Sequence, residues 1–247
     1  MQEKITLDAG YTFGMGVFET IGVEKGKPLF LSWHLQRLKE GLKTLGIDGK
    51  TVEEKAAPEQ IETYLEQNYM EHGVLKIMVS EKNILFQTRE NPYTEADYKR
   101  GFRLDISKVI RNETSPFTYI KSFHYGDNLL EKRRAKKAGY DETLFLNSAG
   151  QVAETSASNI FFIKDRTLYT PSLECGLLPG IVRKYLLENY PVQEMCIMPG
   201  DISDFQEAFL TNSLMGIMPV QAIGDYVFES TRVTREHMLS YWKAAGK

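Results

Sequence analysis

Short runs of apolar and β-branched residues, bounded by glycine, proline or charged residues, punctuate the first 107 positions of the chain. Such runs are typical of strands. They predict strands at Val17–Val23, Leu29–Leu31, Gly73–Ser80, Asn83–Thr88 and Phe102–Ser107. Because only Glu81 and Lys82 separate the third run from the fourth, we expect these two strands to form a hairpin.

Two segments between these strands carry apolar residues at a helical period. The first predicted helix begins at Ser32 as its N-cap and ends at Gly46. Its apolar stripe consists of Leu35, Leu38, Leu42 and Leu45. A second helix is predicted at Ile61–Tyr69. Strands and helices together predict a small N-terminal α/β domain over residues 1–107.

Residues 108–116 differ in character from the segments on either side. Their sequence, KVIRNETSP, has mixed polarity and ends in proline, which favours an irregular connection. We therefore expect an interdomain loop here, followed by a larger C-terminal domain over residues 117–247.

The larger domain is predicted to open with one helix and one hairpin. The helix has Asp127 as its cap and Gly139 as its end. Its expected buried positions are Leu129, Leu130 and Ala138. Thr143–Asn147 and Val152–Ser156 are strand-like runs joined by a Ser-Ala-Gly turn, which predicts antiparallel pairing.

The rest of the chain continues this mixture of strands and helices. Strands are predicted at Leu168–Pro171 and Glu207–Asn212, and a helix ending at Asn189 follows a Pro-Gly turn. A C-terminal helix at Thr234–Ala245 is expected to pack on the larger domain. The predicted fold class is therefore mixed α/β (α+β).

Composition narrows the classes of protein that this chain can represent. The 247 residues carry a net charge of −3 with interspersed signs, which gives no basis for binding nucleic acid or an anionic membrane. The basic run Glu131–Lys137 is interpreted as a solvent-facing helix surface.

Met1–Lys4 leads into no apolar signal segment, and no apolar run approaches membrane-spanning length. Two cysteines without a CxxC pair indicate a reduced compartment, so we expect a cytoplasmic protein.

Lys121 and Glu154 are the first candidates for chemistry. The predicted hairpin would bring Glu154 back towards the sheet from which Lys121 projects. One interpretation is that both are ordinary surface residues. The other is pyridoxal phosphate (PLP) chemistry, in which an amine forms a Schiff base with the cofactor aldehyde and a carboxylate keeps the pyridine nitrogen protonated.

Several motifs in a fixed order favour the second interpretation. The N-terminal half contains FGMGVFET from Phe13 to Thr20 and H-L-x-R-L from His34 to Leu38. The C-terminal half contains K-S-x(2)-Y, then G-x-D-E-x-L-x-L-N-x(2)-G-x-V-x-E-x-S-x-S-N-I-F, T-P, G-L-L-P-G-I-x-R, and N-S-L-M followed by P-V. From about Thr12 to Val220 the chain resembles the class IV (fold-type IV) PLP enzymes, which include branched-chain and D-amino-acid aminotransferases and aminodeoxychorismate lyases.

The resemblance implies a two-domain, D-amino-acid aminotransferase-like fold that holds pyridoxal 5'-phosphate at the domain interface, in a homodimer. It implies that Lys121 is the Schiff-base residue and moves protons, that Glu154 pairs with the pyridinium nitrogen, and that Thr20 borders the reacting face. It also implies a group of phosphate-binding residues, namely Arg37, Ile181, Val182, Asn212 and Ser213. By spacing alone Arg37 would be a solvent-facing arginine, and His34 is expected to be packed or capping.

Within the family, Thr20 and the N-S-L-M run resemble the lyase branch. That branch converts 4-amino-4-deoxychorismate to 4-aminobenzoate and pyruvate for folate biosynthesis. The short turn at Glu81 and Lys82 departs from it, because the lyases carry a loop with glycine and arginine there that helps hold the substrate carboxylates. Arg89 and Lys82 are the candidate replacements. The alternative is a class IV aminotransferase acting on D-amino acids or branched-chain L-amino acids, although Phe18 stands where the D-amino-acid branch has tyrosine.

Other classes of function remain for comparison. A binding protein on the same scaffold would not need both Lys121 and Glu154. A serine hydrolase is disfavoured because the chain has no G-x-S-x-G motif. The histidines form no metal-binding pattern, so no metal site is predicted.

Overall fold

The structure is a computed structural model that describes residues 5–50, 52 and 56–246. The chain divides into two compact units, the first within residues 1–92 and 120–124 and the second within residues 93–119 and 125–247. Met1–Lys4, from which the absence of a signal segment was argued, lies outside the described residues.

The first unit is a four-stranded antiparallel sheet with helices. In chain order its elements are α1 (Ala9–Phe13), β1 (Gly16–Glu24), β2 (Lys27–Pro28), α2 (Leu31–Thr44), α3 (Pro58–Gln67), β3 (His72–Ser80) and β4 (Ile84–Arg89). The strand order is β2-β1-β3-β4. Alternate residues of β1 and β3 face α2 and α3 across an apolar core that includes Ile21, Leu38, Leu42, Ile61 and Ile77. The predicted hairpin of β3 and β4 is confirmed.

The start of α2 differs from the prediction. No strand forms at Leu29–Leu31, and Ser32 lies inside the helix instead of capping it. The N-cap is Phe30, whose φ of 52° places it in the left-handed region and reverses the chain sharply. The Phe30 ring stacks on Trp33 with centroids 5.3 Å apart. This apolar contact, instead of a hydroxyl cap, accompanies the helix entry.

The second unit is built on a nine-stranded mixed sheet. Its elements in chain order are α4 (Glu95–Arg100), β5 (Phe102–Ile106), α5 (Gly126–Lys137), β6 (Glu142–Leu146), β7 (Val152–Thr155), β8 (Asn159–Lys164), β9 (Thr167–Pro171), α6 (Ile181–Asn189), β10 (Val192–Met195), β11 (Glu207–Asn212), β12 (Gly216–Ile223), β13 (Tyr226–Val227) and α7 (Arg232–Ala244), with short 3-10 helices at Pro116–Thr118, Leu173–Cys175 and Pro199–Asp204. The strand order is β10-β9-β8-β11-β12-β5-β6-β7, and β13 pairs with β12.

The central strands of this sheet are buried on both faces. Phe161 of β8 stacks on Phe209 of β11 with centroids 5.0 Å apart, while Ile160 and Leu210 point into the core on the other face. The predicted hairpin of β6 and β7 is confirmed, with Leu146 opposite Val152. The C-terminal helix α7 packs on β11 and β12 as expected.

The prediction of which α5 residues are buried was wrong. Leu129 and Leu130 are 47% and 62% exposed, and Ala138 is exposed too. The helix instead turns polar residues inward, because they find hydrogen-bond partners there. Asn128 donates to the carbonyl of Ser156 at 2.7 Å, and Glu131 accepts from the hydroxyl of Ser107 at 2.6 Å.

The division into units differs from the expected boundary at residue 107. Strand β5 pairs in parallel with both β12 and β6, so it belongs to the nine-stranded sheet. Residues 120–124 return to the first unit. Among the helices that the structure describes, none has the length and apolar character needed to cross a bilayer.

Candidate active site

The predicted site residues are divided between the two units. Lys121, Thr20 and Arg37 belong to the first unit. The second unit contains Glu154, Ile181, Val182, Asn212 and Ser213.

Lys121 is placed by backbone pairing with β1. Its carbonyl accepts from the Phe18 N–H at 2.8 Å, and the Phe123 N–H donates to the carbonyl of Gly16 at 2.8 Å. Ser122 lies opposite Val17 in an antiparallel bridge. Since Val17 belongs to the core, Lys121 points to the other face of the sheet. Its amine lies 4.5 Å from the centroid of the Phe18 ring.

Thr20 shares this sheet face, and so does a lysine that the sequence analysis missed. Lys76 lies opposite Thr20 in the β1–β3 register, and its amine is 4.9 Å from the Phe18 centroid. Burial, together with the positive charge of Arg89, lowers the pKa of Lys76. The alternation of β3 could have revealed Lys76, since a lysine inside an apolar strand marks the face turned away from the core.

The two cations expected to replace the missing loop differ in position. Arg89 is the last residue of β4 and lies opposite Val74 of β3. Its guanidinium donates to the backbone carbonyl of Glu90. Lys82 is exposed in the β3–β4 turn, and its N–H donates to Asp8. Lys76 therefore joins Arg89 and Lys82 as a candidate cation.

Arg37 belongs to a buried charge cluster on the core side of the same sheet. Its guanidinium donates to both carboxylate oxygens of Glu19, at 2.8 and 2.6 Å, and His34 Nδ1 lies 2.6 Å from Glu19 Oε2. Glu19 is fully buried. Burial opposes its ionisation, but the charge of Arg37 and the contact with His34 outweigh this and lower the pKa of Glu19 to about 2. Arg37 is thus oriented by Glu19, and it is only partly exposed.

His34 is fully buried, as expected for a packed histidine. Burial lowers its pKa in spite of the neighbouring Glu19. The neutral ring then donates from Nδ1 to Glu19 and keeps a lone pair on Nε2, which has no hydrogen-bond partner among the described residues.

Glu154 lies on β7 and is nearly buried. Its Oε1 is 3.3 Å from Arg111 Nη2, and its Oε2 accepts from the Leu178 N–H at 3.1 Å. Arg111 also stacks on the Phe145 ring, 4.3 Å from its centroid. The guanidinium and the backbone N–H together fix the orientation of the carboxylate. Neither partner was identified from the sequence.

The loop that binds Glu154 leads directly into α6. Leu178 also accepts from the side chain of Asn159 at 2.8 Å. A Cβ at Gly180 would meet Asn159 Oδ1 at 2.1 Å, so only glycine fits there. Gly180 is the N-cap and provides no side-chain cap. Ile181 and Val182 open the helix, where first-turn N–H groups lack intrahelical acceptors and attract anions.

Asn212 and Ser213 follow β11. The Asn212 side chain accepts from the N–H groups of Leu214 and Met215, at 3.0 and 2.9 Å, and donates to Ser158 Oγ at 3.1 Å. Its amide therefore shapes the turn, while Ser213 is half-buried. Within residues 5–50, 52 and 56–246, no group of His, Cys, Asp and Glu is arranged to hold a metal ion.

Comparison with known proteins agrees with the motifs. The chain is 31% identical to the aminodeoxychorismate lyase of Bacillus subtilis over 98% of its own length and 91% of that protein. The 4-amino-4-deoxychorismate lyase structure from Pseudomonas aeruginosa has a TM-score of 0.83 and 26% identity, covering 96% of this chain and 93% of that one. The branched-chain amino acid aminotransferase of Escherichia coli shares the fold, with a TM-score of 0.84 at 18% identity over 99% and 89% of the two chains.

These similarities confirm the mixed α/β fold expected from the motifs. The family model for amino-transferase class IV matches residues 16–223, which is most of the chain. The match begins at the first residue of β1 and ends at the last residue of β12, so it includes elements of both units. The chain therefore belongs to the class IV aminotransferase family.

Proposed function

We propose that the protein is a PLP-dependent aminodeoxychorismate lyase, which converts 4-amino-4-deoxychorismate to 4-aminobenzoate and pyruvate for folate biosynthesis. The observation that carries the proposal is the shared sheet face of Lys121, Thr20 and Lys76, which combines an amine base, a hydroxyl and a second cation. Similarity to the Bacillus subtilis lyase over nearly the whole chain supports the choice of substrate.

Each unit contains donors suited to a different part of PLP. Lys121 supplies the amine for the cofactor aldehyde, and Glu154, oriented by Arg111, is the carboxylate for the pyridine nitrogen. Anion-binding groups suited to the phosphate are Arg37, the N–H groups of Ile181 and Val182, and the Ser213 hydroxyl, with Asn212 shaping the turn before Ser213. When bound, PLP supplies an electron sink for charge that develops on the substrate carbon.

In the proposed reaction, two side chains of the first unit act on the substrate. Lys121 removes the proton from the substrate ring carbon that carries the amino group. Aromatisation of the ring breaks the C–O bond between the neighbouring ring carbon and the enolpyruvyl oxygen, and enolpyruvate leaves. It takes up a proton at its methylene carbon, equivalent to the one that Lys121 removed, and becomes pyruvate. Thr20 orients the substrate on this sheet face.

The substrate carries two carboxylates, and its binding requires cations. Lys76 lies opposite Thr20, and Arg89 is close enough for its charge to lower the pKa of Lys76. We assign these two residues to the carboxylates in place of the missing arginine loop. Lys82 remains the third candidate, in the exposed turn.

The reaction is tested by mixing purified enzyme with aminodeoxychorismate and measuring 4-aminobenzoate by mass spectrometry. Parallel assays supply D-alanine or branched-chain L-amino acids with 2-oxoglutarate. We expect 4-aminobenzoate from the wild type and none from Lys121→Ala. Efficient transamination without 4-aminobenzoate would overturn the lyase assignment and leave the cofactor assignment standing.

The cofactor is tested separately. Purified protein should be yellow, and borohydride should bleach it while fixing the pyridoxyl group on Lys121, as read by peptide mapping. Lys121→Ala should show no reducible linkage. A colourless protein that PLP cannot reconstitute would contradict the whole proposal.

A second candidate function is a class IV aminotransferase for D-amino acids or branched-chain L-amino acids. It is favoured by the short turn at Glu81 and Lys82, which lacks the lyase loop and contains a glutamate that would repel substrate carboxylates. The parallel assays decide between the two functions.

We also propose that the enzyme is a cytoplasmic homodimer, and native mass spectrometry should give twice the chain mass of 28.3 kDa.

A further inference from the structure

The two cysteines of the chain lie side by side in the second unit, although 20 residues separate them in sequence. Cys175 ends the short helix Leu173–Cys175, and Cys196 directly follows β10. Both are free thiols, and their sulfurs are 3.6 Å apart. The Ser172 N–H donates to the carbonyl of Met195 at 3.2 Å, so backbone pairing next to the cysteines holds the two segments together.

The two thiols differ in access. Cys175 is fully buried, whereas Cys196 is half-buried. Burial raises the pKa of the Cys175 thiol to about 11. A disulfide requires sulfurs about 2.05 Å apart. The present separation therefore has to shorten by roughly 1.5 Å, which a small shift of the short helix can supply.

Cys175 is also joined to the candidate active site through a short segment. Gly176 follows it with a φ of 84°, and Leu177 is buried. Leu178 then donates its N–H to Glu154 at 3.1 Å and accepts from Asn159 at 2.8 Å. Leu178 is only three residues after Cys175. A shift of Cys175 towards Cys196 would therefore displace residues 176–178, including the N–H that contacts Glu154.

We propose that Cys175 and Cys196 form a redox modification site whose oxidant is a low-molecular-weight disulfide. Cys196, the accessible thiol, attacks the oxidant as its thiolate, breaks the oxidant's S–S bond and releases one thiol. Cys175 then loses its proton and attacks the Cys196 sulfur, which releases the second thiol and forms the internal disulfide. The two protein thiols lose two electrons and two protons, and the oxidant becomes two thiols.

The internal disulfide weakens the hydrogen bond between Leu178 and Glu154 and so lowers turnover. The effect on turnover rests on the proposed function, because it acts through Glu154. Formation of the disulfide does not, since it depends only on the two thiols.

The experiment exposes the holoenzyme to glutathione disulfide, blocks the remaining thiols with an alkylating reagent and measures the intact mass. The wild type should lose two hydrogens and retain no glutathione, and peptide mapping should join Cys175 to Cys196. Cys175→Ser should stop with one glutathione on Cys196. Cys196→Ser should stay reduced, because its remaining thiol is buried.

Two results would overturn the site. One is a wild type that keeps both thiols under conditions that add glutathione to Cys175→Ser. The other is a wild type that retains glutathione on Cys196. The second step should also accelerate as the pH rises into the alkaline range, since it needs the Cys175 thiolate and burial raises the pKa of that thiol.

Hydrogen exchange tests the connection to Glu154 without any activity assay. The Leu178 amide should exchange faster in the disulfide form, and dithiothreitol should restore the slow rate. The Leu210 amide, in the buried strand β11, should exchange equally in both forms. Equal exchange at Leu178 would show that the disulfide does not act on Glu154.

Discussion

Glu154 is held by two contacts of different kinds, an ion pair with Arg111 at 3.3 Å and a hydrogen bond from the backbone N–H of Leu178 at 3.1 Å. Glu154→Ala should retain PLP but lose about 3–4 kcal/mol of transition-state stabilisation, or two to three decades in kcat. Arg111→Ala should lose less, because Leu178 still orients the carboxylate. Steady-state kinetics and the visible spectrum provide the two readouts.

The matched control is Glu188→Ala, which removes one exposed carboxylate from α6. It should turn over at the wild-type rate. Wild-type turnover by Glu154→Ala would show that Glu154 is misassigned.

The assignment of Lys76 to a substrate carboxylate can also be tested by single substitutions. Removing its charge in Lys76→Met should raise KM for aminodeoxychorismate about tenfold to a hundredfold, as expected for a lost charge-assisted contact of about 1.5–3 kcal/mol. Lys82→Met should have a smaller effect, because Lys82 is exposed. A larger effect of Lys82→Met would move the carboxylate site to the turn.

The pKa of Lys76 gives this assignment a pH signature. Because burial and Arg89 lower the pKa of Lys76 below the ordinary lysine value of 10.5, Lys76 loses its charge at a lower pH than a lysine of ordinary pKa. KM should therefore rise as the pH increases towards 10, while Lys76→Arg should keep a low KM over this range. The same alkaline rise in Lys76→Arg would contradict the role of Lys76.

At the scale of elements, β1 and α2 are joined by the Glu19 carboxylate. Glu19→Ala removes the buried carboxylate that pairs with the partly buried Arg37, and we expect a loss of about 3–5 kcal/mol in the free energy of unfolding. Trp33 fluorescence in a Trp242→Phe background reports unfolding of the first unit in urea. Glu40→Ala, on the exposed side of α2, is the control and should change stability little.

The contribution of Glu19 has a defined pH dependence. Its pKa falls from 4.5 in the unfolded chain to about 2 in the folded protein. The stabilisation is therefore complete above pH 4.5 and is lost as the pH falls towards 2. The difference in stability between wild type and Glu19→Ala should narrow over this range, and a constant difference would contradict the buried ion pair.

At the scale of the whole molecule, the chain leaves the first unit after residue 92 and returns to it for residues 120–124. The segment that contains Lys121 is thus separated in sequence from the strand it pairs with. Strand β5 lies in the middle of the nine-stranded sheet, between β12 and β6. The compact units are therefore not consecutive stretches of sequence.

This topology predicts the behaviour of fragments cut at the expected boundary. The fragment 108–247 lacks β5, so β6 and β7 lose their connection to β12. It should aggregate or give poorly dispersed amide NMR spectra, because open strand edges expose unpaired backbone groups. A well-dispersed, folded spectrum from 108–247 alone would support the boundary at residue 107.

The sequence by itself determined those features that depend on neighbouring residues. The apolar runs of β1, β3 and β11 and the hairpin of β6 and β7 were predicted, because strand propensity and tight turns act over a few positions. The ordered motifs likewise identified the family and the candidate roles of Lys121 and Glu154. These assignments required no knowledge of distant contacts.

Only the tertiary structure decided which residues meet across long separations in sequence. The partners of Glu154, the pairing of Arg37 with Glu19 and the contact between Cys175 and Cys196 join segments 18 to 43 positions apart. The polar buried face of α5 and the place of β5 likewise depend on partners outside their own elements. The physical reason is that burial and charge pairing are collective, since the free energy of each side chain depends on what the rest of the fold brings beside it.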